Sequence, residues 1–214
     1  PGLSKMALSL DKVTELAPTK GVPVIVDAAS LLPPRENLSK YHKLGADLVI
    51  HSGGKGIRGP QGTGILSGKK ELIQAAYANA APHQFLGRSA KVAKEEIVGL
   101  LTALSNFVNE DEQIENSDFR NKSQKVVDAF SETPGLDAAV KHDNVDYLTP
   151  VSTLFFNDEW DGPKAGDILQ RLEEGDTPIF IKNPFDPDEI IFDPLNVDDD
   201  EVDVVIKKIR ESMD

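Results

Sequence analysis

The sequence predicts an α/β unit followed by a smaller α+β unit built on an antiparallel sheet. Three observations carry that prediction. Short, wholly apolar runs alternate with helical stretches as far as Ala78, and a long amphipathic stretch opens at Val92. Beyond residue 112 the rhythm changes to separate strands and helices, with no internal repeat and no low-complexity linker.

Taken in order, Ser9 is placed to cap a helix whose Leu10, Val13, Leu16 and Ala17 share one face, and Pro18 and Gly21 stop it. Val22 to Val26 reads as a strand buried on both faces, with Pro23 at its start and Asp27 at its end. Ala28-Ala29-Ser30 leaves the strand's carboxyl end, where open α/β sheets place their ligands. After the turn at Pro33-Pro34, a short helix runs from Asn37 to Leu44 and Gly45 ends it. Ala46 to Ile50 is the next buried strand, Gly64-Ile65-Leu66 a returning one, and Lys69 to Ala78 a helix.

Residues 79–90 are irregular, and the long helix then carries Ile97, Leu100, Leu101, Leu104, Phe107 and Val108 to about Glu110, where acidic residues break the stripe. Such a helix suits a connection between domains. Further on, the pattern predicts a helix over Ser117–Phe130, strands at Leu136–Val140 and Val151–Phe156, and a helix over Lys164–Glu174. A hairpin is expected to pair Pro178–Ile181 with Glu189–Phe192 across Asn183–Pro187, and Val202–Met213 forms the last helix.

Composition narrows the chemistry. In 214 residues there is no cysteine, which excludes disulfides, thiolate catalysis and cysteine-held metals. The four histidines show no metal spacing. A net charge of −13 argues against a nucleic-acid surface or an anionic membrane, both of which call for a basic patch. Five of the negative charges fall in Asp198–Asp203 and read as the solvated start of a helix. No apolar run approaches a membrane span and no signal-peptide pattern opens the chain, so a cytoplasmic protein is expected.

The stretch from His51 to Gly64 holds one lysine among six glycines. Inside a regular element each glycine would cost about 0.5–1 kcal/mol relative to alanine, so this is a loop built for close approach. From these residues alone Lys55 is either a surface lysine on a flexible loop or an amine held against a ligand. Asp27 favours the second reading. A carboxylate at the end of a buried strand and an amine from the loop after the next strand border one crevice. Pyridoxal phosphate needs that pair: an amine for its aldehyde and a carboxylate for its ring nitrogen. Ala29 is small enough to lie under the ring, and the Ser52 hydroxyl, three residues before Lys55, suits the phosphate. Arg58 suits the phosphate or a substrate anion. Arg88 and Lys91 lie at the start of the long helix, either as solvated charge or as a site for a substrate anion. A Walker phosphate loop is excluded, because Val49 and Gly56 stand where it requires glycine and a hydroxyl residue.

Val24-Ile25-Val26-Asp27-Ala28-Ala29, Gly45 to Val49, Ser52 to Gln61, and Gly87-Arg88 with Lys91 to Leu100 together resemble the fold-type-I pyridoxal-phosphate enzymes. Within them the likeness is to the selenocysteine synthase-like group, which takes in L-seryl-tRNA selenium transferases and D-glucosaminate-6-phosphate ammonia lyase-like proteins. It is strong over residues 22–108 and loose beyond.

The resemblance implies pyridoxal 5'-phosphate as cofactor, Lys55 as the lysine that carries it, Asp27 on the pyridine nitrogen and Ser52 on the phosphate. It implies a large-domain remnant with a mainly parallel sheet over residues 1–88, an interdomain helix over 89–112 and a small α+β domain over 113–214. It also implies the C-terminal portion of a longer, homo-oligomeric enzyme. The expected activity is α,β-elimination or β-replacement on a small amino acid or amino sugar acid, with Arg58, Arg88 and Lys91 holding substrate anions. The acidic charge favours this over a tRNA substrate. A non-catalytic, partner-binding module is the rival from another class.

Overall fold

The computed structural model describes residues 8–181 and 186–214. They divide into two compact units, the first ending at Glu110 and the second starting at Asp111.

The first unit opens with α1 (Leu10–Leu16), behind an extended Ser9 whose hydroxyl makes no capping bond. A further 3₁₀ turn reaches Lys20, and Gly21 at φ +64° ends it. A three-stranded sheet follows, made of β1 (Ile25–Asp27), β2 (Leu48–Ser52) and β3 (Gly64–Gly68) in that order. β1 runs parallel to β2, with Ile25 opposite Leu48 and Asp27 opposite Ile50. Between them lies α2 (Asn37–Lys43). β2 and β3 are antiparallel, with Ser52 opposite Gly64. The sheet is therefore mixed where a mainly parallel one is expected. The physical reason is the connection: residues 53–63 contain no helix, and a parallel return needs a crossover of about a dozen residues or more.

Burial on both strand faces is not found. One face carries Val26 and Val49 against Ala28, Leu31, Tyr41 and Ala46. The opposite face leaves Ile25 57%, Ile50 37% and Leu66 39% exposed. On that face Leu48 is covered, at 7% exposure, while its neighbours Ile25 and Ile50 are not.

α3 is Lys70–Asn79 and α4 is Lys94–Asn109. Leu100, Ala103, Leu104 and Phe107 of α4 pack with Leu32 and Ile57, whereas Val98 and Leu101 lie open to solvent. Arg35 fastens this packing. Its Nε donates to the Phe107 carbonyl and its guanidinium lies 4.7 Å from the centre of the Phe107 ring.

The second unit comprises α5 (Glu112–Phe130), β4 (Leu136–Lys141), β5 (Val151–Phe156), α6 (Ala165–Glu174), β6 (Glu189–Phe192) and α7 (Asp199–Met213). The acidic run ends α4 as expected and also begins the next helix, because the Asp111 carboxylate accepts from the Gln113 amide at 2.8 Å. The three strands form an antiparallel sheet in the order β4-β5-β6.

The predicted hairpin is corrected here: β6 pairs with β5, Leu154 opposite Ile190, and Pro178–Ile181 forms no strand. Ile179 donates its amide to the Leu172 carbonyl at the end of α6, and its side chain packs on the core with Ile181. The expected turn at Asn183–Pro184–Phe185 lies outside the described residues. One face of the sheet and the helices enclose a continuous core that includes Phe130, Leu154, Ile168, Leu172, Ile190, Val202 and Ile209. The Asp198–Asp203 run opens α7, where Glu201 accepts from the Asp198 amide at 2.8 Å. No described helix is long and apolar enough to cross a membrane.

Candidate active site

β1 ends at Asp27, and its carboxylate turns back on its own loop, with Oδ1 accepting from the Ala29 amide at 3.0 Å. No other hydrogen bond among the described residues engages that carboxylate, and Asp27 is exposed. The Ala28 amide donates to the Ile50 carbonyl at 2.8 Å, which continues the β1–β2 pairing one residue past the strand. Ala29, half-buried, and the exposed Ser30 therefore leave the sheet on a fixed path.

β2 delivers the glycine loop to the same end of the sheet, because it runs parallel to β1. Three backbone bonds close the loop: Gly53 to the Thr63 carbonyl, Gly59 to the Gly53 carbonyl at 2.7 Å, and Arg58 to the Lys55 carbonyl at 2.8 Å. The close approach that the glycines allow is to the chain's own atoms. A Cβ on Gly56 would collide with the Leu32 carbonyl, and one on Gly53 with the Thr63 hydroxyl. Gln61 lies against Gly54 in the same way. Ile57 is buried at 2% exposure, so the loop is anchored on both sides of its tip.

Lys55 projects from that tip and is exposed. Its Nζ donates to Ser30 Oγ at 2.8 Å. That bond brings the amine to the strand end that carries Asp27. Ser52, half-buried at the end of β2, is part of the same edge. Arg58 is exposed and takes a left-handed backbone, φ +59°.

Arg88 and Lys91 precede α4, Arg88 half-buried and Lys91 exposed. Among the described residues no hydrogen bond or ion pair joins either to Lys55, Asp27 or Ser52. The amino end of α4 is already met by a carboxylate of the chain, since Glu96 accepts from the Ala93 amide at 3.0 Å.

Behind the loop, His51 points from β2 to the opposite face of the sheet from Ile50 and is 1% exposed. Burial pushes its imidazole below the usual range, with repulsion from His42 in the same direction and the Asn37 carbonyl opposing. Asn37 is equally buried and donates Nδ2 to the Leu31 carbonyl at 2.7 Å, which supports the turn after Ser30. Among the described residues no group of three His, Asp or Glu is placed to hold a metal.

Comparison with known proteins bears on this arrangement. Residues 6–107, the segment that holds Asp27, Ser30 and Lys55, match the aminotransferase class-V family. The whole-chain likeness reaches further. D-glucosaminate-6-phosphate ammonia lyase of Salmonella typhimurium is 30% identical over 211 residues, 98% of this chain and 54% of that protein.

Residues 6–107 carry an aminotransferase class-V domain.

A solved structure of D-glucosaminate-6-phosphate ammonia-lyase superposes with a TM-score of 0.72 at 29% identity, over 97% of this chain and 53% of that one. A 5'-C-glycyluridine monooxygenase-decarboxylase of a Streptomyces species is 26% identical over 208 residues, 97% of this chain and 50% of that protein. The chain thus spans about half the length of the curated relatives it matches. The class-V family to which this domain belongs consists of pyridoxal-phosphate enzymes of fold type I. The donor set at the β1 edge fits that cofactor: an amine for an aldehyde and a carboxylate for a ring nitrogen lie at one strand end.

Proposed function

We propose that this chain is the lysine-bearing part of a pyridoxal-phosphate enzyme that catalyses α,β-elimination, in the manner of an ammonia lyase, on an amino acid or amino sugar acid. One observation supports this most directly: the bond from Lys55 to Ser30, which stands three residues after Asp27. The 30% identity to D-glucosaminate-6-phosphate ammonia lyase supports the reaction class.

When bound, pyridoxal phosphate supplies an electron sink for charge developed at the substrate's Cα. The chain's own residues supply the rest. Lys55 would hold the cofactor, and its amine would take the proton from the substrate's Cα. The Asp27 carboxylate would hold the ring nitrogen and favour its protonated form. Ala29 presents a small surface to the ring and Ser52 a hydroxyl to the phosphate. Arg58, Arg88 and Lys91 hold substrate anions. In this reading residues 1–88 complete the cofactor domain of a longer homo-oligomer, and residues 113–214 form its small domain.

The test is chemical. Purified chain is incubated with pyridoxal 5'-phosphate, reduced with borohydride and mapped by peptide mass. The adduct is expected on Lys55 and is expected to vanish in Lys55→Ala. An adduct spread evenly over exposed lysines such as Lys69 and Lys91 would sink the assignment. Release of ammonia from phosphorylated amino sugar acids, set against reaction with seryl-tRNA, then separates a lyase from a selenium transferase.

A further inference from the structure

Lys55 has a partner that neither its own loop nor the Asp27 motif reveals. Its Nζ donates to Ser30 Oγ at 2.8 Å across 25 residues of chain. Both ends of this bond rest on fixed backbone. On one side, the Ala28 amide is tied to Ile50, the Leu31 amide to Ala28, and the Leu31 carbonyl to the buried Asn37 side chain. On the other, Gly56 lies hard against the Leu32 carbonyl and Ile57 is buried with Leu32 and Phe107. A long, exposed lysine side chain is otherwise free to sample many rotamers. Here one hydroxyl selects among them.

We propose that Ser30 is a positioning residue for Lys55: its hydroxyl takes one N–H of the amine and holds Nζ over the end of β1, on the Asp27 side. A carbonyl bound at that edge then meets an amine already in place. Ser30 acts through the lysine rather than on the ligand. The inference rests on the proposed cofactor site, but the contact itself does not.

The test uses the full chain with Ser30→Ala and Ser30→Thr, after equal melting temperatures have been established. The first probe is pyridoxal 5'-phosphate, with the rate of attachment to Lys55 read by borohydride trapping. The second is 4'-deoxypyridoxine 5'-phosphate, which keeps ring and phosphate but has no aldehyde, with its dissociation constant read by titration. The third is glyoxylate with cyanoborohydride, a small aldehyde that needs no site, read as labelling of Lys55 relative to Lys69.

Losing a single hydrogen bond predicts attachment slowed about fivefold in Ser30→Ala. Ser30→Thr is expected to restore the rate, and the deoxypyridoxine phosphate affinity to stay unchanged. Glyoxylate labelling of Lys55 is expected to rise in Ser30→Ala, because the amine is no longer tethered. Unchanged attachment, or an equal weakening of deoxypyridoxine phosphate, overturns the proposal, since Ser30 would then be idle or would touch the ligand directly. If wild-type chain takes no pyridoxal phosphate at all, the cofactor reading fails. The glyoxylate ratio then decides Ser30 alone: a rise in Ser30→Ala supports the tether, and an unchanged ratio removes it.

Discussion

Two glycines in the lysine loop make opposite predictions. A Cβ at Gly56 would overlap the Leu32 carbonyl, a backbone atom with no rotamer to escape into. Overpacking of that kind costs about 1–3 kcal/mol, so Gly56→Ala is expected to lower the denaturation midpoint clearly and to move Lys55 away from Ser30. At Gly62 the nearest atom to a Cβ is Glu96 Oε1 at 3.0 Å, the mobile end of a side chain. Gly62→Ala is expected to stay within about 0.5 kcal/mol of wild type. Equal destabilisation by the two in urea titrations would show that the loop is not anchored on Leu32. The sequence shows Lys55 and Asp27 because a lysine among glycines and a carboxylate closing an apolar run are local patterns. Ser30 leaves no such mark. Its role depends on a contact 25 residues distant, and serine after a strand is ordinary turn chemistry.

Among the elements, β2 carries a group that links stability to pH. His51 sits on its buried face, where burial pulls the imidazole below its ordinary value of 6.5. As pH falls, the unfolded chain takes up that proton before the folded one does. The contribution to stability is complete above the ordinary value and is lost as pH drops from there towards the folded value. The slope in that window is up to about 1.4 kcal/mol per pH unit. Denaturation midpoints between pH 7.5 and 5 are expected to fall, and His51→Gln is expected to flatten the curve. A midpoint in His51→Gln that falls as steeply as in wild type would assign the effect to other groups.

At the same scale, removal of the Asp111 cap from α5 is expected to cost about 1 kcal/mol in Asp111→Ala, read by urea titration. That cap was hidden because an acidic run reads equally well as a helix stop or a helix start. The fate of Pro178–Ile181 was hidden for a related reason. A short apolar run shows that a segment is buried, while its pairing depends on strands far away in sequence. The helices at 94–109, 165–174 and 199–213 were legible because each carries its own apolar stripe.

Across the whole molecule, apolar packing is distributed unequally between the two units. Among the described residues, fifteen buried apolar side chains form one continuous cluster in the second unit. The first unit has two clusters of three buried residues each, and its sheet leaves Ile25, Ile50 and Leu66 open on one face. Buried apolar area contributes about 25 cal/mol per Å², so the second unit has the larger stabilisation available to it. β1 adds a local weakness: it is three residues long and pairs with β2 alone within the sheet.

Native-state hydrogen exchange on the full chain is expected to resolve this difference. The amides of β5 around Leu154, flanked by β4 and β6, are expected to exchange through the highest-energy opening. Those of β1 around Val26 are expected to open at least about 2 kcal/mol more easily. If β1 and β5 exchange with the same free energy and the same denaturant dependence, the units open as one and the unequal cores do not govern stability. If β1 opens first, a ligand held between Lys55 and Asp27 has a distinct signature. It is expected to raise protection in β1 and the glycine loop while leaving β5 unchanged.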